Sequence, residues 1–297
     1  MDTVCTITLY DTTDESLLGK TFELCKKYEA LFSRTVETSD VSRINKIGDG
    51  AVEVDPETAE LLKTALEYSE RTGGKFDVTV GRLTSLWDFK SESPVLPAPD
   101  KIDSALRQTG YRNLSVDGNT VTVRNGVQVD LGGIAKGYIA DRCAAFLKEN
   151  GVERAIINLG GNVLVLGSKD GSTPWTVGIQ RPFADRNEIV GSVQVSDYSV
   201  VTSGVYERFF EKDGVIYHHI LDPETGYPVS NGLESVTILS RSSVTADALS
   251  TSAFLLGKDR AAELVESLPD TEAIFIDSAG QVTVTSGIGT QIPFERK

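Results

Sequence analysis

The strands that this sequence predicts are grouped with their neighbours along the chain, and this grouping restricts the fold more than any other feature. In NLSVDGNTVTVRNGVQVDL, apolar and polar residues alternate on both sides of an Asp-Gly turn, which is typical of a hairpin or meander. Further strands are predicted in AIINLGGNVLVLG and YERFFEKDGVIYHHIL, and EAIFIDSAGQVTV is predicted as the last hairpin. The sequence therefore predicts an α+β fold, with mixed or antiparallel sheets and packed helices, rather than a doubly wound parallel sheet.

Helices are predicted where apolar residues recur at helical spacing and where capping residues precede them. Apolar residues from Leu17 to Phe32 follow this period, and Ser39 is a good N-cap for a short helix in SDVSRIN. Asp55 and Pro56 mark the start of a helix in DPETAELLKTALEYSERTGG, which ends at paired glycines. Further helices are predicted around DKIDSALRQTG, over 134–150, and over about 245–256 and 258–268. By contrast, GGKFDVTVGRLTSLWDF is predicted to be irregular.

The chain is acidic, and this excludes some classes of partner. Its 43 Asp and Glu residues against 29 Lys and Arg residues give a formal net charge of −14 at pH 7. Such a surface repels nucleic acid and anionic membranes, so neither is expected as a partner. An anionic ligand would have to meet local positive groups or a bound cation. The length, 297 residues, suits one large domain or two intertwined subdomains.

Cysteine and histidine residues are few and lack the spacing of metal sites. Cys5, Cys25 and Cys143 lie far apart in the sequence and form no C-x-x-C pair, which excludes a disulfide framework and the usual zinc sites. They are interpreted as half-buried apolar residues. His218 and His219 are adjacent, and neighbours on a strand point to opposite faces. At most one of the two histidines is therefore expected in a site.

A first candidate site is VDLGGIAKGYIADR, residues 129–142, which predicts a strand, a glycine turn and a helix. Backbone N–H groups and the positive end of the helix dipole would face an anion such as phosphate there, with Lys136 as a nearby charge. Gly132 and Gly137 have the GxxxxG spacing, but Tyr138 stands where a P-loop has lysine. The alternative is that the glycines only allow the strand to pack closely against the helix.

A second candidate site is SVTADALSTSAFLLG, residues 243–257. Asp247 and Thr251 are four residues apart, which places a carboxylate and a hydroxyl on one face of the predicted helix, and Ser250 lies beside them. Such hard oxygen ligands suit Mg²⁺, which takes few protein groups and leaves its other positions to water and phosphate. The alternative is that Asp247 only stabilises the helix dipole.

Two loops add further candidates. In YHHILDPETGYPV a strand presents His219 before a turn, and histidine titrates near neutrality, so His219 could act as an acid or base or contact a phosphate. A structural histidine, hydrogen-bonded at the end of its strand, is the alternative. In GGKFDVTVGRLTSLWDF, aromatic residues most often indicate core, but Asp77 beside Phe76 in a glycine-flanked loop would also suit a flavin ring with polar edges.

Taken in order, these segments resemble the ApbE family of FAD:protein FMN transferases. The resemblance rests on SDVSRIN, GGKFDVTVGRLTSLWDF, VDLGGIAKGYIADR, NLGGN, TSGVYERFF, HHILDPETGYPV and TADALSTSAFLLG, and it covers essentially the whole chain. It implies a T-fold-related, ApbE-like architecture for residues 1–297. It also implies Mg²⁺-dependent transfer of the FMN half of FAD to a Thr or Ser hydroxyl of an acceptor flavoprotein subunit, with release of AMP.

The resemblance implies roles for individual positions. The implied metal ligands are the backbone carbonyl of Gly133 and the side chains of Asp247, Ser250 and Thr251. The implied FAD contacts are Met1, Lys75, Phe76, Asp77, Asp130, Lys136 and, through its backbone, Leu221. The predicted catalytic residues are His219, for proton transfer or orientation, and Asp247, chiefly as a metal ligand. The family varies at the position of Lys136, so the charge there is not essential to the whole group. This sequence departs from the family at its start, where MDT replaces a commoner M-G-T pattern.

Two rival functions would use the same apparatus or part of it. Water in place of the acceptor hydroxyl would make the chain an FAD pyrophosphatase that yields FMN and AMP. A non-enzymatic FAD-binding protein would need neither the metal nor a reactive His219. Because members of the family are typically exported and often lipid-anchored, we expect an extracytoplasmic protein from which the targeting segment has been removed, with a cytoplasmic protein as the alternative. Membrane association is expected through such a removed N-terminal lipid anchor alone.

Overall fold

A computed structural model describes residues 3–89, 91 and 93–297 of the chain. Met1, one of the predicted FAD contacts, lies outside the described residues. Within these ranges, no helix combines the length and the apolar character that a membrane crossing requires.

Helices form largely where caps and periodicity predict them. They are α1 (Glu15–Phe32), α2 (Asp40–Lys46), α3 (Pro56–Arg71), α4 (Gly81–Leu86), α5 (Pro99–Leu106), α6 (Ala135–Glu149), α7 (Ser243–Leu256) and α8 (Lys258–Glu266). Ser39 caps α2 by accepting a hydrogen bond from the Ser42 N–H, and Asp55 caps α3 in the same way. The helix α4 lies in the segment predicted to be irregular, so that prediction is wrong there. The sequence contains no signal for this helix because it is only six residues long and no side chain caps it.

The strands pair in antiparallel fashion, and this confirms the predicted α+β fold. They are β1 (Cys5–Leu9), β2 (Gly50–Glu53), β3 (Leu114–Asp117), β4 (Thr120–Val123), β5 (Ala155–Leu159), β6 (Asn162–Leu166), β7 (Trp175–Gln180), β8 (Ile189–Val195), β9 (Tyr198–Gly204), β10 (Phe209–Lys212), β11 (Val215–His218), β12 (Leu233–Ser240), β13 (Thr271–Asp277), β14 (Val282–Val284) and β15 (Phe294–Arg296). The hairpins β3–β4, β5–β6, β10–β11 and β13–β14 lie where paired strand patterns predict them.

The chain divides into two compact units made of alternating segments. Unit 1 contains the described residues up to Lys26 together with Lys136–Gly204 and Asn231–Lys297. Unit 2 contains Lys27–Ala135 and Val205–Ser230. Whether the chain is one domain or two intertwined subdomains stays a prediction.

Unit 1 is built on a seven-stranded sheet with the order β1-β5-β6-β9-β12-β13-β14. A second sheet has the order β15-β8-β7, and α7 packs against β9 and β12. Its apolar core includes Trp175, Val193, Leu239 and Ile274, all nearly or fully buried. The sequence did not predict β9, because YSVVTSG lacks alternation of apolar and polar residues and has three successive buried positions.

Unit 2 combines the helices α2 to α5 with a sheet of order β2-β4-β3 and the hairpin β10–β11. Aromatic rings form a stacked cluster in its core. The ring centroids of Trp87 and Phe89 are 5.8 Å apart, and those of Phe210 and Tyr217 are 5.3 Å apart. In GGKFDVTVGRLTSLWDF, Trp87 is therefore a core residue and is only 3% exposed. Its ring stacks on Phe89.

Candidate active site

The helix α7 places Asp247 deep in unit 1. Ser242 caps this helix by accepting a hydrogen bond from the Thr245 N–H, and ten of the residues of α7 are buried. Asp247 itself is 2% exposed. A carboxylate in such a position needs compensating partners, because transfer of an unpaired charge out of water is costly.

Two groups of α6 supply this compensation. The backbone N–H of Gly137 donates to Asp247 Oδ2 at 2.8 Å, and Lys136 Nζ lies 3.3 Å from Asp247 Oδ1. Gly137 is the third residue of α6, so its N–H is one of the groups that a helix leaves without an internal partner. Asp247 therefore binds at the positive end of α6 and forms an ion pair with Lys136.

Gly137 is required by this close approach of α6 to α7. A Cβ atom at position 137 would lie 2.2 Å from the Ser243 carbonyl oxygen and 2.7 Å from Asp247 Cβ. Both distances are far below van der Waals contact. Gly137 of the spacing that resembles a P-loop thus allows two helices to pack closely, whereas the alternative interpretation of this motif was packing of a strand against the helix.

Ser250 and Thr251 lie one turn after Asp247, and they differ in accessibility. Ser250 is fully buried, and its Oγ donates to the Asp247 carbonyl at 2.9 Å and lies 2.8 Å from Ser203 Oγ. Thr251 is half-buried, with Oγ1 3.4 Å from Ser203 Oγ. Thr251 is therefore the more accessible of the two predicted hydroxyl ligands, and Ser203 on β9 connects them.

The donor set around Asp247 fits a magnesium ion. Among the residues that the structure describes, no three His, Cys, Asp or Glu side chains converge to hold a metal ion. A cation at Asp247 would therefore take its other ligands from hydroxyl or backbone oxygens, from water and from phosphate. Mg²⁺ accepts such a set because it binds one or two carboxylates and keeps several waters or phosphate oxygens.

In unit 2, Asp130 is the centre of a polar network. Arg34 Nη1 and Thr84 Oγ1 donate to its Oδ2, the latter at 2.8 Å, and the Gly132 N–H donates to Oδ1 at 2.9 Å. Burial alone would raise the pKa of Asp130, but the charge of Arg34 and these hydrogen bonds outweigh it and lower the pKa. Asp130 is therefore held as a carboxylate. Its side chain stabilises the turn that contains Gly133 by accepting the hydrogen bond from the Gly132 N–H.

The segment before this turn differs from the prediction. The predicted strand before Gly132 is wrong, because the chain there forms a single isolated parallel bridge between Val80 and Gln128 rather than a ladder. The helix after the turn is confirmed, with α6 starting at Ala135. The turn itself is closed by the Ile134 N–H, which donates to the Leu131 carbonyl at 3.1 Å.

The predicted FAD-contacting loop of unit 2 has its side chains engaged within the unit. Lys75 Nζ lies 3.1 Å from both carboxylate oxygens of Asp222 and 2.8 Å from Glu224 Oε2. Burial by itself would lower the pKa of Lys75, but the pairs with Glu224 and Asp222 raise it. Phe76 is 4% exposed, so a contact with a ligand would have to use the backbone there.

Asp77 holds the same loop together. Its Oδ1 accepts from the Thr79 N–H at 2.7 Å and from Thr79 Oγ1 at 2.6 Å, while Oδ2 accepts from the Tyr111 N–H at 2.8 Å. Burial raises the pKa of Asp77 in spite of these hydrogen bonds. The FAD-binding roles of Lys75, Phe76 and Asp77 stay predictions.

The two histidines differ in burial, and only His218 lies within β11. His218 is buried, donates from Nε2 to the Val229 carbonyl at 3.0 Å, and accepts from the Ile220 N–H at Nδ1. Burial lowers the pKa of His218, so its ring is neutral and structural. His219 follows β11 and is partly exposed, with Nδ1 3.3 Å from the Arg208 carbonyl oxygen.

Leu221, the other predicted backbone contact, enters the turn that HHILDPETGYPV predicts. Its side chain is 6% exposed and packs in the apolar cluster of Leu83, Trp87 and Ile102. The Gly226 N–H closes the turn by donating to the Asp222 carbonyl at 2.7 Å. Because the side chain of Leu221 is in the core, its backbone alone is available to a ligand.

Comparison with known proteins identifies the family. The sequence model of the ApbE family matches residues 1–275. The chain belongs to the ApbE family. Among its relatives, the FAD:protein FMN transferase of Klebsiella pneumoniae is 38% identical over 277 residues, which cover 92% of this chain and 86% of that protein. The FAD:protein FMN transferase of Treponema pallidum is 34% identical over 307 residues, covering 96% and 85%.

Solved ApbE structures have the same fold. The crystal structure of the ApbE protein of Thermotoga maritima superimposes with a TM-score of 0.86 at 39% identity, covering 94% of this chain and 92% of that one. The flavin transferase ApbE of Vibrio cholerae gives a TM-score of 0.86 at 30% identity, covering 96% and 94%. These similarities confirm the resemblance and the architecture on which the sequence analysis relied.

The sequence analysis missed three residues that position the predicted site residues. Arg34 pairs with Asp130, Ser203 contacts both Ser250 and Thr251, and Asp141 accepts hydrogen bonds at the start of α7. Each of these contacts joins two residues that are 47 or more positions apart in the sequence. Spacing alone gives no signal for such contacts, although a lone arginine in the polar loop between α1 and α2 could have been noted for Arg34.

Proposed function

We propose that this ApbE protein transfers the FMN moiety of FAD to a Thr or Ser hydroxyl of an acceptor protein, with Mg²⁺ as cofactor and AMP as the leaving product. The relatives that match over most of their length are named FAD:protein FMN transferase, which supports FAD as donor and a protein as acceptor. The observation that carries the metal part of the proposal is the buried carboxylate of Asp247, whose Oδ1 lies 3.3 Å from Lys136 Nζ.

In this reaction the acceptor hydroxyl oxygen forms a bond to the FMN phosphorus while the bond from that phosphorus to the AMP oxygen breaks. The hydroxyl proton goes to a base, and AMP takes the electron pair of the broken bond. The ion, when bound, neutralises charge on the pyrophosphate oxygens. A surface with a net charge of −14 makes such local neutralisation necessary for an anionic substrate.

Three residues of unit 1 have proposed roles in binding the ion and the phosphate. Asp247 and Thr251 would hold the ion, Asp247 as the charged ligand and Thr251 as the accessible hydroxyl on the same helical face. Lys136 pairs with Asp247 in this structure, and with an ion bound at Asp247 its side chain would be able to contact a phosphate oxygen instead. Gly133 and Ser250 as ligands, and His219 as base, stay predictions from the family resemblance.

The experiment uses the full chain with FAD, Mg²⁺ and a candidate acceptor subunit, and it follows acceptor and nucleotides by mass spectrometry. A mass gain on the acceptor together with AMP supports transfer, and an acceptor whose target Thr is changed to Val is the matched control. Free FMN and AMP without a mass gain would indicate an FAD pyrophosphatase. Intact FAD that stays bound would indicate a binding protein.

The roles of Asp247 and Lys136 can be separated in the same assay. Asp247→Asn keeps an acceptor oxygen for the Gly137 N–H but removes the charge, and it should lower Mg²⁺-dependent transfer by about 100-fold or more. Lys136→Gln should weaken FAD binding and leave Mg²⁺ dependence in place. Transfer that proceeds at the original rate in Asp247→Asn would show that Asp247 only caps α6.

We also propose that the protein acts outside the cytoplasm and that a lipid anchor on an N-terminal segment holds it at the membrane. Export is typical of the family that the chain resembles. Fractionation of the source cells, with detection by an antibody against this chain, tests the proposal. Recovery in the cytoplasmic fraction, with no lipid-modified peptide in the membrane fraction, would overturn it.

A further inference from the structure

Two of the cysteines, which the sequence separates widely, meet inside unit 1. Cys25 on α1 and Cys143 on α6 are 118 positions apart, yet their Sγ atoms are 3.7 Å apart. Cys25 is 6% exposed and Cys143 is fully buried. Cys5 is partly exposed and its Sγ lies 4.0 Å from the Thr3 carbonyl oxygen. The sequence interpretation of all three as half-buried apolar residues did not include a contact between two of them.

The sulfur atoms of the pair are at contact distance. A disulfide needs an S–S distance of about 2.0 Å, and side-chain rotation must supply the remaining approach. Both thiols are in their reduced form in this structure. Cys143 also has the Thr21 carbonyl oxygen of α1 4.0 Å from its Sγ, so α1 and α6 are packed closely at this level.

We propose that Cys25 and Cys143 form a reversible disulfide that links α1 to α6. The reaction is a thiol–disulfide exchange with a low-molecular-weight disulfide such as oxidised glutathione. One cysteine thiolate attacks a sulfur of the disulfide and releases one glutathione thiolate. The second cysteine thiolate then attacks the mixed disulfide and releases the other. Two protein thiols lose two protons and two electrons, and one disulfide of glutathione becomes two thiols.

The surroundings of the pair shift the pKa values of the two thiols in opposite directions. The hydrogen bond with Cys25 and then burial raise the pKa of the Cys143 thiol, since both favour its neutral form. The hydrogen bond from Cys143 lowers the pKa of Cys25, because it stabilises a thiolate there. Because both thiols are buried, exchange takes place during folding or in a locally opened state.

The link would stabilise unit 1 without touching the proposed metal ligands. A cross-link between residues 118 positions apart removes much of the freedom of the unfolded chain. It also fixes α6, whose first turn carries Lys136 and Gly137 against Asp247. The inference does not depend on the proposed function, since it concerns stability and thiol chemistry.

The test refolds the full chain rather than treating the folded protein, so that burial of the thiols does not limit the reaction. The reduced, unfolded chain is refolded in glutathione buffers with either the oxidised or the reduced form in excess. Remaining thiols are then alkylated in denaturant and counted by mass spectrometry. In the oxidising buffer we expect one alkylated thiol, at Cys5, and a peptide that joins Cys25 to Cys143. In the reducing buffer we expect three alkylated thiols.

Variants make the assignment specific. Cys5→Ser should keep the link, whereas Cys25→Ser and Cys143→Ser should each abolish it and leave two alkylated thiols. The oxidised chain should unfold at a urea concentration higher by about 1 M than the reduced chain. Three free thiols in the oxidising buffer, a link through Cys5, or a mixed disulfide with glutathione in place of the link would each overturn the proposal. An oxidised chain that unfolds at a lower urea concentration would also overturn it.

Discussion

At the scale of single residues, the predicted site depends on side chains that are held by partners far away in sequence. Asp247 is neutralised by Lys136 and by the N–H of Gly137, and Asp130 is held by Arg34. In both places a specific cation and specific hydrogen-bond donors face the carboxylate, and at Asp130 they lower its pKa. The two carboxylates differ in their cations, since Asp130 faces an arginine that also contacts Thr84 and Ser85, whereas Asp247 faces a lysine.

Gly137→Ala tests the close approach of α6 and α7. The new Cβ would collide with the Ser243 carbonyl oxygen, so the helices must separate and the N–H at position 137 must move away from Asp247. We expect a loss of stability of about 2 kcal/mol and a large loss of FMN transfer. Urea unfolding and the transfer assay measure the two effects.

Gly19→Ala is the control for this change. Gly19 lies in α1, is exposed, and has no atom within 4 Å of an added Cβ. Alanine should therefore stabilise the helix by about 0.5–1 kcal/mol and leave transfer unchanged. Equal behaviour of the two variants would contradict the packing argument.

Arg34→Gln tests the network around Asp130 through its pH dependence. The pKa of Asp130 is lowered in the folded state, so the stability it contributes is present above about pH 4 and is lost as the pH falls through the lower, folded value. Arg34→Gln should therefore cost about 1–2 kcal/mol at pH 7 and progressively less below about pH 4. Urea unfolding at pH 7 and at about pH 3.5 checks this.

The control for this prediction is the exposed pair of Lys26 and Glu23. Their side chains are 69% and 70% exposed, so Lys26→Gln should leave stability nearly unchanged at both pH values. If the cost of Arg34→Gln stays constant as the pH falls, the ion pair with Asp130 is not its cause.

At the scale of elements, the start of α7 is fixed by its own cap and by a carboxylate from another helix. Ser242 is the local cap, and Asp141 of α6 accepts hydrogen bonds from the Ser243 N–H at 2.8 Å and the Val244 N–H at 2.9 Å. Burial raises the pKa of Asp141 although these donors oppose the rise. The first turn of α7, which precedes Asp247 directly, is thus tied to α6 at a second point.

Asp141→Ala should loosen this connection. Two N–H groups at the buried start of α7 would lose their acceptor, and we expect a loss of about 1–2 kcal/mol in unfolding free energy. The Mg²⁺ concentration that half-saturates transfer should also rise. Asp14→Ala, at the exposed start of α1 where Asp14 accepts from the Ser16 N–H, should cost less and leave the Mg²⁺ response unchanged. A Mg²⁺ response that is the same in both variants would contradict the positioning role of Asp141.

At the scale of the whole molecule, the net charge follows directly from the sequence. The formal net charge of −14 arises from 29 basic and 43 acidic residues. Several of the ion pairs are exposed and contribute little, so mutual repulsion of the excess carboxylates is not offset by them.

Added salt should therefore stabilise the protein. Raising NaCl from about 10 mM to about 150 mM shortens the screening length and weakens this repulsion, and we expect the melting temperature to rise by about 2 °C. Differential scanning calorimetry at the two salt concentrations measures it, and NaCl in place of MgCl₂ keeps specific binding out of the comparison. A melting temperature that falls with salt would mean that attractive ion pairs outweigh the repulsion.

The local features of this chain were determined by its sequence. Helix starts at α2 and α3 follow from Ser39 and Asp55, and the hairpins follow from alternating patterns with turn residues between them. These interactions join residues a few positions apart, so their physics is visible in a short segment. The ordered set of motifs also identified the family, because a short motif that recurs with others in fixed order is hard to obtain by chance.

Contacts between distant segments were decided by the tertiary structure alone. Spacing within one helix predicted that Asp247 and Thr251 share a face, but it could not show that Lys136 and Gly137 neutralise Asp247 from 110 or more positions away. In the same way, Arg34 with Asp130 and Cys25 with Cys143 meet because sheets and helices pack in a particular order. The physical reason is that the sequence determines which chemical groups are present and which groups are their neighbours along the chain. Burial, pairing and pKa depend instead on which surfaces come together when the chain packs.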